Sequence, residues 1–100
     1  MSFQRLDLLK KLDLAREIAG VPMYISDDYR TNAQGAHSYG MAVDVVDDYD
    51  SDGITSAWRY EVVRAACAAG FTRIGVYDKH IHLDIWDGGP QRVMWMGESA

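Results

Sequence analysis

The sequence predicts a small α+β domain: two helices against a mainly antiparallel sheet. Three observations predict it. Apolar residues recur at helical spacing in two separate stretches, short alternating stretches of strand character lie between and after them, and glycines fall where the helical patterns stop. One hundred residues make one domain, 1–100, with length enough for a single modest core. No repeat, low-complexity tract or linker composition divides it.

Taken in order, residues 3–19 read as the first helix. Leu8, Leu12, Ala15 and Ala19 fall on one face, Gly20 offers the stop and Pro22 prevents continuation. MYISDDYR (23–30) is a short strand running into the loop TNAQGAHSYG (31–40), and MAVDVVD (41–47) alternates as a second strand. An acidic loop, DDYDSDG (47–53), leads into a second helix over 55–69. Thr55 or Ser56 caps it, and Trp58, Val62, Ala65 and Ala69 form its apolar face. Gly70 ends that helix. RIGVYD (73–78) and HIHLDIW (80–86) are two further strands, and the tail GGPQRVMWMGESA is loop or a final short strand.

Composition excludes several classes of function. The hydrophobic fraction of 48% with 25% charged residues is that of a globular chain rather than a disordered one. A net charge of −5, with only 10 Lys and Arg and no basic run, argues against nucleic acid and against adhesion to an anionic membrane. No apolar run has the length of a membrane span, and the N-terminus mixes charges into its leucines, unlike a secretory signal. Synthesis in the cytoplasm is expected. The single cysteine, Cys67, permits neither an internal disulfide nor a cysteine-based zinc site, and AACAAG suggests a small buried thiol on the second helix. A monomer is expected, with the apolar VMWM of the tail covering the core or a partner.

The chemistry concentrates in two segments. Along HIHLDIW, strand alternation puts His80, His82, Asp84 and Trp86 on one face and Ile81, Leu83 and Ile85 on the other. The apolar face suits the core; two imidazoles and a carboxylate on the opposite face have no packing rationale. HSYGMAVD places His37 in a loop and Asp44 on the following strand, where a loop folding back can bring the two together. Two imidazoles and a carboxylate around one metal leave a fourth position for water, the usual arrangement of catalytic zinc. Against this stands the reading of each histidine as a surface or satisfied core residue. The acidic loop offers a second metal: Asp48, Asp50, Asp52 and Gly53 fit the opening of a calcium loop, but Arg59 stands where an EF-hand places its bidentate Glu. A solvated turn leading into the second helix is the competing reading.

These residues resemble a known family. SDDYRT, then H-x-x-G-x-A-x-D (His37, Gly40, Ala42, Asp44), AGFTRIGVY and HIHLDI are similar to the zinc D-Ala-D-Ala carboxypeptidases, and in particular to their compact phage and bacterial branch. The wider superfamily includes lysostaphin-type endopeptidases and the hedgehog zinc domain, and the resemblance covers residues 23 to 95. It implies a hedgehog/DD-peptidase-like fold, zinc held by His37, Asp44 and His82, and hydrolysis of amide bonds in the stem peptides of bacterial peptidoglycan. The protein would then act on the cell wall after release or delivery. Arg30 would hold a carbonyl or carboxylate oxygen of the substrate; a surface ion pair with Asp27 or Asp28 is its alternative. Gly40 and Ala42 would be small because the backbone passes beneath the metal, and Tyr39 and Trp86 could line the cleft.

The chain also departs from the family. Many members carry a Glu or Asp three residues before the last ligand, where this chain has Lys79. His80 is therefore the first choice for general base, a role suited to an imidazole's near-neutral pKa, with Asp84 or Asp78 as orienter or substitute. The same departure supports an alternative: a non-catalytic zinc domain of this fold, used for recognition or in a phage particle.

Overall fold

The computed structural model of the protein describes residues 6–26, 40–48 and 54–97. In chain order the elements are helix α1 (Leu6–Ala19), strands β1 (Tyr24–Ile25) and β2 (Ala42–Val46), helix α2 (Ser56–Ala69), and strands β3 (Arg73–Val76), β4 (Ile81–Asp84) and β5 (Val93–Met96). This is a small α+β fold in which the two helices cover one face of a five-stranded mixed sheet, ordered β1-β2-β4-β3-β5. Pairing is antiparallel throughout except between β3 and β5, so the tail forms a strand that runs parallel to its neighbour at one edge. Among the described residues no helix is long and apolar enough to cross a membrane.

Each helix begins and ends where its sequence requires. The Thr55 hydroxyl accepts a hydrogen bond from the Trp58 amide at 3.1 Å, which makes Thr55, not Ser56, the cap of α2. Gly70 closes α2 at φ +99°, a left-handed conformation that favours glycine, and its amide donates back to the last turn. Leu8, Leu12, Ala15 and Ala19 of α1 meet Trp58, Val62, Ala65, Ala66 and Ala69 of α2 in one buried cluster. The Trp58 indole donates to the Pro22 carbonyl at 2.7 Å, so this core tryptophan keeps its one polar atom satisfied. Cys67 corrects the expectation of a buried thiol: it is exposed. Two residues beyond Ala65 is more than half a helical turn, which carries position 67 off the apolar face.

The sheet follows a strict division. Val43, Val45, Ile74, Val76, Ile81 and Leu83 point toward the helices and complete the core. The alternate residues point the other way, and the register sets them in rows. Asp44 pairs with His82, His82 with Gly75 and Gly75 with Trp95, giving one row across four strands. The next row is Ala42, Asp84, Arg73 and Val93. The hairpin between β3 and β4 closes where the Tyr77 amide donates to the His80 carbonyl at 3.0 Å, leaving Asp78 and Lys79 exposed at its tip.

Candidate functional site

Alternation and register together bring Asp44 and His82 side by side on the face away from the helices. His82 Nδ1 stands 3.3 Å from Asp44 Oδ1, and its other ring nitrogen, Nε2, is 2.5 Å from Asp84 Oδ2. Both carboxylates are almost fully withdrawn from water. A buried charge is tolerated only when partners replace its hydration, and Asp84 has such partners. Its Oδ1 accepts from the Trp86 amide at 3.1 Å and lies 3.0 Å from Arg73 Nε.

His80 stands just ahead of β4 on the same face. Its Nε2 is 3.9 Å from Asp44 Oδ1, and its ring stacks on Tyr77 with centroids 4.4 Å apart and planes within 10°. The Tyr77 hydroxyl accepts from the Trp95 indole at 3.0 Å, and the Trp95 ring lies 5.3 Å from the His82 ring. Gly75 makes this possible. A Cβ there would stand 2.7 Å from the indole, so the missing side chain is the space through which Trp95 reaches across β3 toward His82.

Burial of the His82 ring disfavours its charged form. Hydrogen bonding of the protonated ring to the Asp44 and Asp84 carboxylates, with the negative charge of both, outweighs that effect and raises its pKa above the ordinary 6.5. In the metal-free protein the two carboxylates therefore favour the protonated imidazole.

Of the residues expected from the sequence, the fold brings together Asp44, His80, His82 and Asp84. Trp86 lies beside them: its backbone amide anchors Asp84, and its half-buried ring packs near the Arg73 guanidinium. Asp78 and Lys79 are displaced to the hairpin tip. Arg30, His37, Tyr39, Asp50, Asp52 and Gly53 lie outside the described residues, and Asp48 is an exposed residue at the border of the acidic loop. Gly40 has φ +70°, so backbone conformation alone calls for glycine there, whereas Ala42 is buried beside Asp84 in its row.

Sequence reasoning misses Arg73, Gly75, Tyr77 and Trp95. The signal for the first three is the two-residue turn at Asp78–Lys79. Closing the hairpin there places Tyr77 opposite His80, Gly75 opposite His82 and Arg73 opposite Asp84. Trp95 carries no such signal, because the parallel pairing of β5 is set by tertiary contacts.

Among the described residues, no group of three His, Cys, Asp or Glu side chains is arranged to hold a metal ion. The spacing of the described donor pair is compatible with zinc. Two ligands each about 2.0–2.1 Å from a tetrahedral zinc stand roughly 3.3 Å apart, which is the separation of His82 Nδ1 and Asp44 Oδ1. Zinc-binding histidines commonly give their other ring nitrogen to a carboxylate, as His82 gives Nε2 to Asp84. Compared with known proteins, the chain matches no family model, no curated sequence and no solved structure.

Proposed function

We propose that this chain is a zinc-dependent peptidase that hydrolyses amide bonds in bacterial cell-wall stem peptides, with His37, Asp44 and His82 as metal ligands. The observation that carries the reading is the cross-strand pair Asp44–His82, whose facing donor atoms have the spacing of two zinc ligands while Asp84 holds the back of the imidazole. The peptide substrate and the wall as site of action rest on the resemblance of the HxxGxAxD and HIHLDI segments to the zinc D-Ala-D-Ala carboxypeptidases.

Bound zinc supplies a Lewis acid that polarises a carbonyl and lowers the pKa of water toward about 7. The chain's own residues supply the rest. His80 is the group to take and return a proton: it is half-buried, its ring is fixed by stacking on Tyr77, and its Nε2 faces the carboxylate of a proposed ligand. Arg30 is assigned to a substrate carbonyl or carboxylate oxygen by resemblance alone. Asp84 serves as orienter of His82 rather than as base, since its carboxylate is buried and shared among His82, Arg73 and the Trp86 amide.

A second reading has one observation in its favour. Lys79 sits at the exposed hairpin tip, at the position where many members of the family carry an acid. A domain without that acid would keep its zinc and serve recognition. Hydrolysis of purified murein by zinc-loaded wild type, His80→Ala and His82→Ala, with zinc content measured for each, separates the two readings. The peptidase reading expects stem-peptide products from wild type, loss of activity with zinc retained in His80→Ala, and loss of both in His82→Ala. Inert wild type holding one zinc per chain would overturn the peptidase reading in favour of a recognition or structural domain.

A further inference from the structure

Among the described residues, Arg73 is the arginine built into the site's floor, and it does not belong to the expected ligand set. It stands opposite Asp84 in the β3–β4 register, and its side chain is 15% exposed. The guanidinium lies 5.4 Å from the ring centroid of Trp86 and 5.4 Å from that of Trp95, a pair of cation–π contacts. Its NH1 donates to the Pro90 carbonyl at 2.7 Å, and its Nε faces both Asp84 oxygens, at 3.0 and 3.3 Å. The loop after β4 is shaped around this arrangement: a side chain at Gly88 would collide with the Trp86 ring, and one at Gly89 would press on the Arg73 guanidinium at 3.0 Å.

A planar group held by two indoles and a carbonyl has few orientations left, and it passes that restriction on. The Trp86 amide holds Asp84 Oδ1 and Arg73 Nε spans both oxygens, so the carboxylate is fixed with Oδ2 toward His82 Nε2. A histidine that donates its Nε2 proton to a fixed carboxylate presents the Nδ1 lone pair on its other side, toward Asp44.

We infer that Arg73 is a positioning residue for the metal centre: through Asp84 it sets the plane and tautomer in which His82 offers Nδ1 to zinc. The inference rests on the metal reading proposed above. It concerns metal affinity and ligand geometry, not proton transfer, so it is tested on binding rather than on turnover.

The test is competitive zinc titration against a chromophoric chelator, together with the visible spectrum of the cobalt(II)-loaded protein, for wild type, Arg73→Met, Arg73→Lys and His82→Ala. Arg64→Met, which removes an exposed arginine paired with Glu61, is the control. Methionine keeps an unbranched apolar side chain between the two indoles. Arg73→Met is expected to bind zinc at least about 10-fold more weakly, the lower end for loss of a partner behind a metal ligand, and to alter the cobalt bands. Arg73→Lys is expected to stay weak, because an ammonium keeps the charge but loses the planar fork.

Wild-type zinc affinity and an unchanged cobalt spectrum in Arg73→Met, beside loss of metal in His82→Ala, would overturn the role of Arg73 and leave the metal reading standing. Full recovery in Arg73→Lys would overturn positioning in favour of charge alone. If wild type binds no zinc, both inferences fall. Thermal melts of the metal-free variants, run alongside, identify any loss of binding that comes from unfolding; in that event Arg73→Lys, which keeps the charge and most of the side-chain length, decides the matter.

Discussion

The two faces of β4 are both largely withdrawn from water near the middle of the strand and are held by opposite means. Ile81 and Leu83 are completely buried against the helices. Asp84, which alternates with them, is 1% exposed, and His82 is not far behind at 12%. On the helix side, burial itself is the driving force, at roughly 25 cal/mol per Å² of apolar surface, and it is indifferent to direction. On the other side burial works against the charged groups. They stay there because each is given a partner in a fixed direction: Asp44 and Asp84 for His82, Arg73 and a backbone amide for Asp84. The first face depends on the volume of its side chains; the second depends on the direction in which each polar group meets its partner.

The largest effect that tests this contrast is Leu83→Ala. Removing a fully buried leucine from the helix side is expected to cost about 2–5 kcal/mol of stability. Below the lowered melting transition, zinc bound per folded chain should stay at the wild-type level. Chemical denaturation and metal analysis on the same sample check both halves. Loss of zinc from a sample that is still folded would show that the two faces are not independent.

Gly75→Ala sharpens the comparison from the opposite side. The added methyl enters the space taken by the Trp95 indole, and overpacking of this kind costs about 1–3 kcal/mol. Its particular consequence is a displaced Trp95 ring beside His82, so tryptophan emission and near-ultraviolet dichroism should change together with a modest fall in melting temperature. Unaltered Trp95 spectra and stability would mean that the indole does not depend on the glycine.

The helix-side half of this molecule was legible in the sequence because one rule governs it. Leu8, Leu12, Ala15 and Ala19, and then Trp58, Val62, Ala65 and Ala69, repeat at helical spacing, and each of them is buried. Alternation likewise separates Ile81 and Leu83 from His82 and Asp84 without reference to any neighbour. What alternation does not contain is register. That Asp44 meets His82, or that Arg73 meets Asp84, depends on where hairpins close, and one residue of slip would turn each side chain to the other face. Cys67 shows the complementary weakness: small residues on every side of AACAAG blur the edge of the apolar stripe, and the thiol falls just outside it.

The smallest expected effect is one of pH, and it follows from the cation held between two carboxylates. His82 has a folded-state pKa raised above the 6.5 of an unfolded histidine, because the bonds and charges of Asp44 and Asp84 outweigh its burial. In metal-free protein the protonated ring therefore stabilises the fold in full below pH about 6.5, and this contribution disappears as pH rises through the folded value. His80 also stands near Asp44, 3.9 Å from its Oδ1, so the comparison belongs in a His80→Gln background. The expected result, in chelator, is that the melting temperature of this protein relative to its His82→Gln derivative falls as pH rises from about 6.5 through the raised folded-state value. On the proposed metal reading, zinc would displace the same proton, so its affinity should rise with pH over the same interval. A melting difference that stays flat or grows with pH would mean that the imidazole is not held as a cation by its two carboxylates, and the contrast between the two faces of β4 would lose its electrostatic half.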